Sequence, residues 1–416
     1  MQGEAVWYAG VDWASEAHVV CLLDAGGRMR GRRSFAHGGA GLAEMCAWLI
    51  AASGAEPQAV HVAIETPHGP IVETLLERGF TVYAINPKQL DRFRDRFTLA
   101  GAKDDSRDAE VAADALRTDR HRFRPLKSAD PLVIELREWS RIAADLKVEQ
   151  NRLANRMREQ LWRYFPAMLD LTHDLAADWF LELWESVPTP SHARRVREAT
   201  LAKLFKRHRI RRFDAAQALA QLRQPPLAVA AGTIAASTAH MRTLIPRLRL
   251  VNQQLKDANG QLDRLLDRLA EPAEDAPGQS QEQRDVTILR SLPGVGRIVC
   301  ATLLTEACDA LRERDYHALR CLSGIAPVTK QSGKRRIVVR RYACHRRLGD
   351  ALYHWARVAS QHDPRSRAKY AVLRQRGHSH ARALRSVADR LLAVACAMLN
   401  RGTLFDPAIA AQKAAC

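Results

Sequence analysis

The sequence predicts a mixed α/β domain at its N-terminal end and mostly helical structure in the remainder. Alternating apolar and polar residues near the N-terminus predict strands, first in succession and then in alternation with helices. Farther along, apolar residues recur every three to four positions over two long stretches, which is typical of extended amphipathic helices. The length of 416 residues allows two to three domains of roughly 150 residues each.

The first predicted domain, 1–127, carries the strand signals. Short turns join its first three strands, the second of them at Ala25-Gly26-Gly27. The predicted strands cover 6–12, 18–23, 29–35, 60–65 and 81–86, and the predicted helices cover 42–51 and 71–78 and then continue through about residue 117. Because strands come first and then alternate with helices, the domain is expected to be mixed α/β.

The second predicted region, 128–283, is helical. Apolar side chains follow helical spacing from Leu136 to Leu161 and from Leu248 to Leu269, which predicts two long helices and a coiled-coil arm. Pro246 is expected in the first turn of the second helix, where its missing N–H is tolerated. The spacing leaves open whether the two helices pair within one chain or between chains.

Two further segments complete the predicted organisation. Residues 167–240 form a helical insert between the long helices, and the sequence assigns no function to it. The polar stretch 270–283 marks the clearest boundary in the chain. Beyond it, 284–416 is predicted to be a mostly helical final domain.

Charge indicates the class of partner. Lys and Arg total 64 against 46 Asp and Glu, which gives a net charge of +18. A protein this basic binds polyanions, and nucleic acid is the first candidate; the alternative is an arginine-rich composition inherited from a GC-rich genome. The sequence has no apolar stretch long enough for a transmembrane helix and no recognisable signal peptide. Its eight cysteines lack C-x-x-C spacing, so we expect reduced thiols rather than a disulfide framework or a zinc site.

One run of positive charge is unusually one-sided. Between residues 330 and 347 there are eight basic residues and no acidic ones. A solvated face usually mixes both signs, so the run predicts a surface that contacts phosphates. Its basic residues are Lys330, Lys334, Arg335, Arg336, Arg340, Arg341, Arg346 and Arg347.

A glycine-containing turn lies between two predicted helices, 286–291 and 298–307. Within Leu292-Pro293-Gly294-Val295-Gly296, the residues Gly294 and Gly296 would let the backbone approach a phosphate and would expose N–H groups at the next helix start. This pattern indicates a helix–hairpin–helix-like element for nucleic-acid backbone. The alternative is an ordinary tight turn between helices.

Four carboxylates form a candidate metal site. Asp12 ends the first predicted strand, Glu65 ends the fourth, and Asp105 and Asp108 share one face of a helix start. Such a set can hold two divalent cations, Mg²⁺ or alternatively Mn²⁺, because both prefer hard oxygen ligands. Each acid also has a structural alternative. Asp12 could cap a turn, and Glu65 could be a surface residue at a strand end. Asp105 could be an N-cap, with Asp108 complementing the helix dipole. Asp104 competes with Asp105, since it lies four residues before Asp108.

Several motifs in order resemble the DEDD transposases of bacterial insertion sequences, the one-ten group. In the N-terminal domain these are Gly10-Val11-Asp12, Ile64-Glu65-Thr66, Ile85-Asn86-Pro87 and the segment from Lys103 to Ala109. In the C-terminal domain they are Leu292-Pro293-Gly294-Val295-Gly296, Gly324-Ile325-Ala326-Pro327, Gln331-Ser332-Gly333 and Phe405-Asp406-Pro407. The family motif K-x-D-x-x-D-A selects Asp105 and Asp108 over Asp104. The chain departs from the pattern at Ala343-Cys344, where the family usually has a Gly-Asn step.

The resemblance implies a fold, a nucleophile and partners. Family members join an N-terminal RuvC-like domain of RNase H fold to a C-terminal transposase domain. Taken alone, Ser332 in a basic loop is typical of a turn residue; the resemblance implies instead that it attacks DNA and forms a covalent serine–phosphate link, completed by the four carboxylates and two Mg²⁺ ions. Ser323 belongs to the preceding motif. The resemblance further implies donor and target DNA, a guide RNA encoded by the element, a homo-oligomer (a dimer or larger), and a location in the bacterial cytoplasm near the nucleoid.

Three functions are compatible with the sequence. The favoured one is a transposase or recombinase that needs both the carboxylates and Ser332. The second is a RuvC-like, metal-dependent, structure-specific nuclease, in which Ser332 would be dispensable. The third is a nucleic-acid-binding protein without catalysis.

Overall fold

Five strands form one mixed sheet in the computed structural model, which describes residues 6–66, 68–96, 105–127, 130–271, 281–333 and 335–407, without the side chains of 105, 106 and 281–284. The sheet belongs to the first of two compact units, Met1–Asp130 and Pro131–Cys416. Its strands are β1 (Trp7–Asp12), β2 (Ala17–Leu23), β3 (Met29–Ala36), β4 (Val60–Ile64) and β5 (Thr81–Ala84). All five strands predicted from the sequence are present, so the mixed α/β prediction is confirmed.

The sheet order is β3-β2-β1-β4-β5. The first three strands are antiparallel neighbours, whereas β4 and β5 run parallel to β1. Four helices accompany the sheet: α1 (Gly39–Ser53), α2 (Pro70–Glu77), α3 (Pro87–Arg94) and α4 (Asp105–Asp119). Alternate side chains of the strands pack with α1 and α2 in one apolar cluster and with α3 and α4 in others. Both faces of the sheet are therefore covered.

Two long helices dominate the second unit. These are α5 (Pro131–Tyr164) and α10 (Ala231–Ala270), and their apolar stripes are buried in the same cluster. The Nε2 of Gln150 donates a hydrogen bond to Oδ1 of Asn252 at 2.7 Å, which links the two helices. The pairing that the spacing left open thus occurs within one chain.

The prediction for Pro246 was wrong. This residue lies inside α10, which begins at Ala231. The first turns of α10 are mostly exposed, so they lack the apolar period that marks the rest of the helix. Packing of the long helix against α5 compensates for the backbone hydrogen bond that a proline cannot donate.

The insert between the long helices packs against them. It contains α6 (Asp178–Ser186), α7 (Pro190–Arg195), α8 (Glu198–Arg207) and α9 (Ala215–Leu222). Trp184 is buried, and its Nε1 donates to the hydroxyl of Tyr164 at 2.8 Å; that hydroxyl donates in turn to the carbonyl of Pro188 at 2.9 Å. The insert therefore completes the core of the helical arm.

The remainder of the second unit is helical apart from one hairpin. Its elements are α11 (Gln281–Ser291), α12 (Arg297–Glu306), α13 (Cys308–Arg312), α14 (Tyr316–Leu322), β6 (Val328–Ser332), β7 (Arg335–Val339), α15 (Arg346–His362), α16 (Pro364–Gln375) and α17 (His380–Arg401). The mostly helical character was predicted, but the antiparallel β6–β7 hairpin was not. None of the described helices has both the length and the apolar character of a membrane span. None of the seven described cysteines forms a disulfide bond.

Candidate active site and nucleic-acid interface

Asp12 and Glu65 lie at the ends of neighbouring strands. The parallel register of β1 and β4 pairs Val11 with Ile64, so the next residue on each strand emerges at the same edge of the sheet. Both carboxylate residues are partly exposed. Side-chain alternation places Asp12 on the same face as Gly10, which is the face that α4 covers. Two of the four predicted acids therefore lie next to each other at the C-terminal ends of β1 and β4.

Gly10 brings α4 into direct contact with the sheet. A Cβ at this position would lie 1.9 Å from the carbonyl oxygen of Ala109 and 2.6 Å from the nitrogen of Ala113. No side chain fits between the two backbones, so the position requires glycine. This contact fixes the distance between β1 and the first turns of α4. Because Asp108 immediately precedes Ala109, it also fixes the position of Asp108.

Asp108 is buried and paired. It is 4% exposed, and its Oδ1 accepts a hydrogen bond from Nε of Arg94 at 2.7 Å. Arg94 also lies 2.9 Å from Asp91. Burial of the Arg94 guanidinium opposes its charge, but the hydrogen bonds and negative charges of Asp108 and Asp91 outweigh burial and raise its pKa. Arg94 was not predicted from the sequence, where its only signal was a basic residue in the last turn of the helix before the acid pair.

Metal binding by these residues stays a prediction. Asp105 begins α4, but its side chain lies outside the described part of the structure. Among the side chains that are described, no three His, Cys, Asp or Glu residues lie close enough together to hold a metal ion. The chemistry of the donors nevertheless fits a hard divalent cation, because Asp12 and Glu65 offer carboxylate oxygens at one edge of the sheet.

Ser332 lies at the tip of the exposed hairpin. It is the last residue of β6 and pairs with Arg335 of β7 across a turn at Gly333, whose φ is +54°. The side chain is exposed, and its hydroxyl forms no hydrogen bond with any described residue. Lys334, the other residue of the turn, lies outside the described residues. The hydroxyl of Ser332 is thus open to a large substrate.

Ser323 has the opposite surroundings. It is 4% exposed, and its Oγ donates to the carbonyl of Leu319 at 2.7 Å at the end of α14. A buried hydroxyl that is engaged in this way cannot reach a DNA phosphate. His345, considered from the sequence as a neighbour of Ser332, caps α15: its Nδ1 accepts from the backbone N–H of Leu348 at 3.4 Å, and its Nε2 lies 3.4 Å from a carboxylate oxygen of Glu306.

The basic run divides into exposed and internally engaged residues. Arg341 donates to the carbonyl of Ala326 at 3.3 Å, and Arg347 lies 3.4 Å from Asp145 of α5. Arg340 lies over the ring of Tyr342 at 5.3 Å from its centroid. The remaining described members of the run are exposed, three of them on the hairpin and one at the start of α15: Lys330, Arg335, Arg336 and Arg346.

The two predicted glycines of the helix–hairpin–helix-like element differ in their surroundings. Gly294 has a φ of +83°, and a Cβ there would lie 2.9 Å from the backbone nitrogen of Ala359 in α15. Trp355 of α15 also donates to the carbonyl of Pro293 at 2.9 Å. Gly294 therefore serves packing against α15. Gly296 precedes α12, is exposed and has no atom within 4 Å of a built Cβ, so of the two it is the one open to a phosphate.

Two family models match the chain. One of the DEDD_Tnp_IS110 type, described as "Transposase", matches residues 9–166. The other, described as "Transposase IS116/IS110/IS902 family", matches residues 286–371. Together the two matches span more than half of the 416 residues.

Individual relatives agree with these matches. The "Mini-circle putative transposase for IS117" of Streptomyces coelicolor is 31% identical over 392 residues, which is 92% of each chain. The "Insertion element IS110 uncharacterized 43.6 kDa protein" of the same species is 30% identical over 73% of this chain and 72% of its own length. The "Putative transposase y4uE" of Sinorhizobium fredii is 72% identical over half of this chain, and the match spans 58% of that relative. With two family models and a relative matched over nearly its whole length, the chain belongs to the IS110 family of transposases.

Proposed function

We propose that the protein cuts and rejoins DNA by attack of Ser332 on a phosphodiester, assisted by divalent metal ions at Asp12, Glu65, Asp105 and Asp108. Membership in the family implies an enzyme that cleaves and rejoins DNA and depends on a divalent metal in general. The observation that carries the more specific proposal is the position of Ser332, exposed at the tip of a hairpin whose described charges are all positive.

The chemistry at Ser332 follows from its surroundings. Its hydroxyl oxygen would bond to phosphorus while the bond from phosphorus to one sugar oxygen breaks, and the sugar oxygen takes up a proton as it leaves. Reversal of these steps by another DNA end would rejoin the strand and free the serine. Arg335, which pairs with Ser332 across the hairpin and lies on the same face, would supply positive charge for the extra negative charge that develops on the phosphate oxygens.

The N-terminal unit supports the remainder of the proposal. A five-stranded mixed sheet with β1 at its centre supports a RuvC-like domain of RNase H fold. Asp12 and Glu65 would contribute ligands to two Mg²⁺ ions, with Mn²⁺ as an alternative. When bound, such ions polarise phosphate oxygens and favour the ionised form of the nucleophile. Asp105 and Asp108 would join them from α4. We further propose a homo-oligomer and a guide RNA in addition to the two DNA partners, which the net charge of +18 would favour.

A covalent-adduct assay tests the proposal. The full chain would be incubated with Mg²⁺, the RNA flanking the element and its junction DNA, then denatured and examined for protein attached to DNA. We expect an adduct that disappears in Ser332→Ala and persists in Ser323→Ala. Asp12→Ala, Glu65→Ala, Asp105→Ala and Asp108→Ala should each abolish strand exchange in folded protein.

Other outcomes would favour the alternatives. Cleavage without an adduct, at the same rate in Ser332→Ala, would indicate a hydrolytic nuclease. Strand exchange that persists in any two of the carboxylate variants would contradict the assignment of the site. The basic run is expected to determine affinity for DNA and not the chemical step. Arg335→Ala should therefore reduce the slope of log binding constant against log salt concentration by about 0.9 for each duplex phosphate that is no longer neutralised.

A further inference from the structure

An arginine-lined groove lies at the base of the hairpin, at the end away from Ser332. It consists of two adjoining cavities of about 540 and 390 Å³, which share Gly324, Ile325 and three arginines among their lining residues. We name this surface the arginine groove and define it by Arg340, Arg341, Arg346, Arg382 and Arg385. The last two lie on α17, outside the basic run.

The charges of the groove are not balanced within the protein. In the described part of the chain, no carboxylate comes within 4.0 Å of the guanidinium groups of Arg340, Arg382 or Arg385. Asp389, which also lines the groove, is held by other residues: it lies 2.7 Å from Nε of Arg320 and accepts a hydrogen bond from the hydroxyl of Tyr316 at 2.7 Å. Asp350 lines the larger cavity as well, so six arginines face two carboxylates in the two cavities and the groove keeps a net positive charge.

This arrangement is unfavourable in the unliganded protein. Burial lowers the pKa of Arg385, and the positive charges of Arg340 and Arg382 lower it further. Like charges that lie close together, with Arg385 partly removed from water, raise the free energy of the folded state. Such a cluster becomes favourable when an anion enters, because the planar guanidinium group matches the oxygens of a phosphate and donates two hydrogen bonds at once.

Two further features fit a nucleic-acid strand in particular. Arg382 and Arg385 lie in the first two turns of the 22-residue helix α17, whose N-terminal end carries partial positive charge. Tyr342 lines the same groove, is 81% exposed and lies under Arg340, so one ring face is available for a base. The groove also continues the positive surface of the hairpin.

We propose that the arginine groove binds a phosphodiester of a nucleic-acid strand, with the neighbouring base stacked on Tyr342. The proposal rests on nucleic-acid binding by this transposase and does not require Ser332 to be the nucleophile. The four residue steps from Arg335 to Val339 extend about 13 Å at roughly 3.3 Å per step. The groove and the hairpin tip are therefore far enough apart to contact different phosphates of one strand.

Inorganic phosphate provides the first test, measured as a change in melting temperature of the full chain at constant ionic strength. We expect phosphate to stabilise the wild-type protein and to have no such effect on Arg382→Gln or Arg385→Gln. Without phosphate, both variants should melt at the wild-type temperature or above it, because repulsion is relieved. Arg357→Gln removes the same charge from an exposed position of α15 outside the groove and should respond to phosphate like the wild type. A lower melting temperature of both groove variants without phosphate, or an undiminished response to it, would overturn the proposal.

Oligonucleotide binding provides the second test. Single-stranded DNA and RNA of the same sequence would be titrated at several salt concentrations. Arg382→Gln and Arg385→Gln should each lower the logarithmic salt slope by about 0.7 for each phosphate that is no longer neutralised, and Tyr342→Ala should weaken binding about tenfold. An effect on DNA alone, on RNA alone or on both supports the groove and identifies the strand that it holds, whereas unchanged slopes in both arginine variants contradict it. These titrations involve no covalent step, so failure of the groove is distinguishable from failure of the serine mechanism.

Discussion

Arg94 holds Asp108 in place, with Nε of the arginine 2.7 Å from Oδ1 of a carboxylate that is almost completely buried. The pair joins the end of α3 to the first turns of α4. Asp108, a predicted metal ligand, is thus already paired with a cationic side chain of the protein, Arg94. Metal binding at Asp108 must therefore compete with Arg94, and this competition can be measured.

Replacing Arg94 separates its two effects. Arg94→Gln removes a positive charge beside Asp108, so we expect Mg²⁺ to bind about tenfold more tightly, as about 1.4 kcal/mol of relieved repulsion would give. In the absence of metal, the loss of the charged hydrogen bond should lower the free energy of unfolding by about 2 kcal/mol. Isothermal titration with Mg²⁺ and urea denaturation measure the two quantities. Arg92→Gln, an exposed position on the same helix, should change neither; equal Mg²⁺ affinity in Arg94→Gln and the wild type would show that Asp108 does not contribute to a metal site.

Gly10→Ala should severely destabilise the N-terminal unit. The new methyl group would overlap the carbonyl oxygen of Ala109, so α4 would have to move away from β1. We expect a loss of more than about 3 kcal/mol of unfolding free energy, visible in denaturant titrations. Gly39→Ala is the matched control, since it opens α1 and no atom lies within 4 Å of its built Cβ. Similar midpoints for the two variants would contradict the close crossing.

Substitution by alanine at Ser323 and at Ser332 should have different effects on stability. Ser323→Ala removes the buried side-chain hydrogen bond to the Leu319 carbonyl, which keeps the backbone N–H of residue 323 as a donor, so unfolding free energy should fall by about 1 kcal/mol. Ser332→Ala removes a hydroxyl that bonds to no described residue and should leave stability unchanged. Thermal melting distinguishes them. A destabilised Ser332→Ala would mean that its loss of activity could not be interpreted as loss of a nucleophile.

The two glycines of the helix–hairpin–helix-like element also make a matched pair. Gly294→Ala places a side chain against the backbone of α15 at a positive φ, so we expect a loss of more than about 1 kcal/mol of stability. Gly296→Ala has open space and an ordinary φ of −92°, so it should fold normally. If phosphate approaches the start of α12, Gly296→Ala should weaken duplex binding in a gel-shift titration. Duplex binding by Gly296→Ala at the wild-type affinity would mean that the element serves only to pack the helices together.

The N-terminal unit should lose stability below neutral pH. Burial and the nearby His37 lower the pKa of His18, and burial and Arg120 lower that of His61. The backbone N–H of Ala14 donates to Nδ1 of His18, so Nε2 carries the proton shared with His37. A protonated His18 would lose this acceptor.

The direction of the pH effect follows from these lowered values. As pH falls below the unfolded-state pKa of about 6.5, the unfolded chain binds protons that the folded unit does not. The stability from these histidines is complete above that pH and decreases below it. Hydrogen exchange of β2 peptides, corrected for intrinsic rates, should report weaker protection at about pH 5.5 than at about pH 7.5, and His18→Gln should reduce the difference. Equal loss of protection in α10 would point to a general acid effect.

Sequence patterns predicted the sheet because its strands face a core. The strands Trp7–Asp12 and Ala17–Leu23 bury short apolar runs between the two covered faces of the sheet, and these runs were readable from the sequence. The β6–β7 hairpin was missed for the converse reason: both of its faces are exposed, so no apolar alternation is required of it. The start of α10 at Ala231 was missed because its first turns are also exposed.

Contacts between distant residues were beyond the reach of local patterns. The carboxylates were found by their order along the chain, but nothing in their spacing pointed to Arg94 as a partner of Asp108. The arginine groove is a similar case, because Arg340 and Arg385 come together only through the packing of α17 near the hairpin. The run of basic residues indicated one side of that groove, and the fold supplied the other.

The exposed hairpin has a consequence for when the protein can react. An isolated two-stranded hairpin has little stability of its own, and Ile337 and Val338 contribute little by burial, since they are 39% and 63% exposed. The tip that carries Ser332 is therefore held by little besides its own backbone pairing. A contact from outside the hairpin would stabilise it further, and a nucleic-acid strand along the hairpin would provide one. With Ser332 as the proposed nucleophile, the reaction would then begin only after that strand has bound.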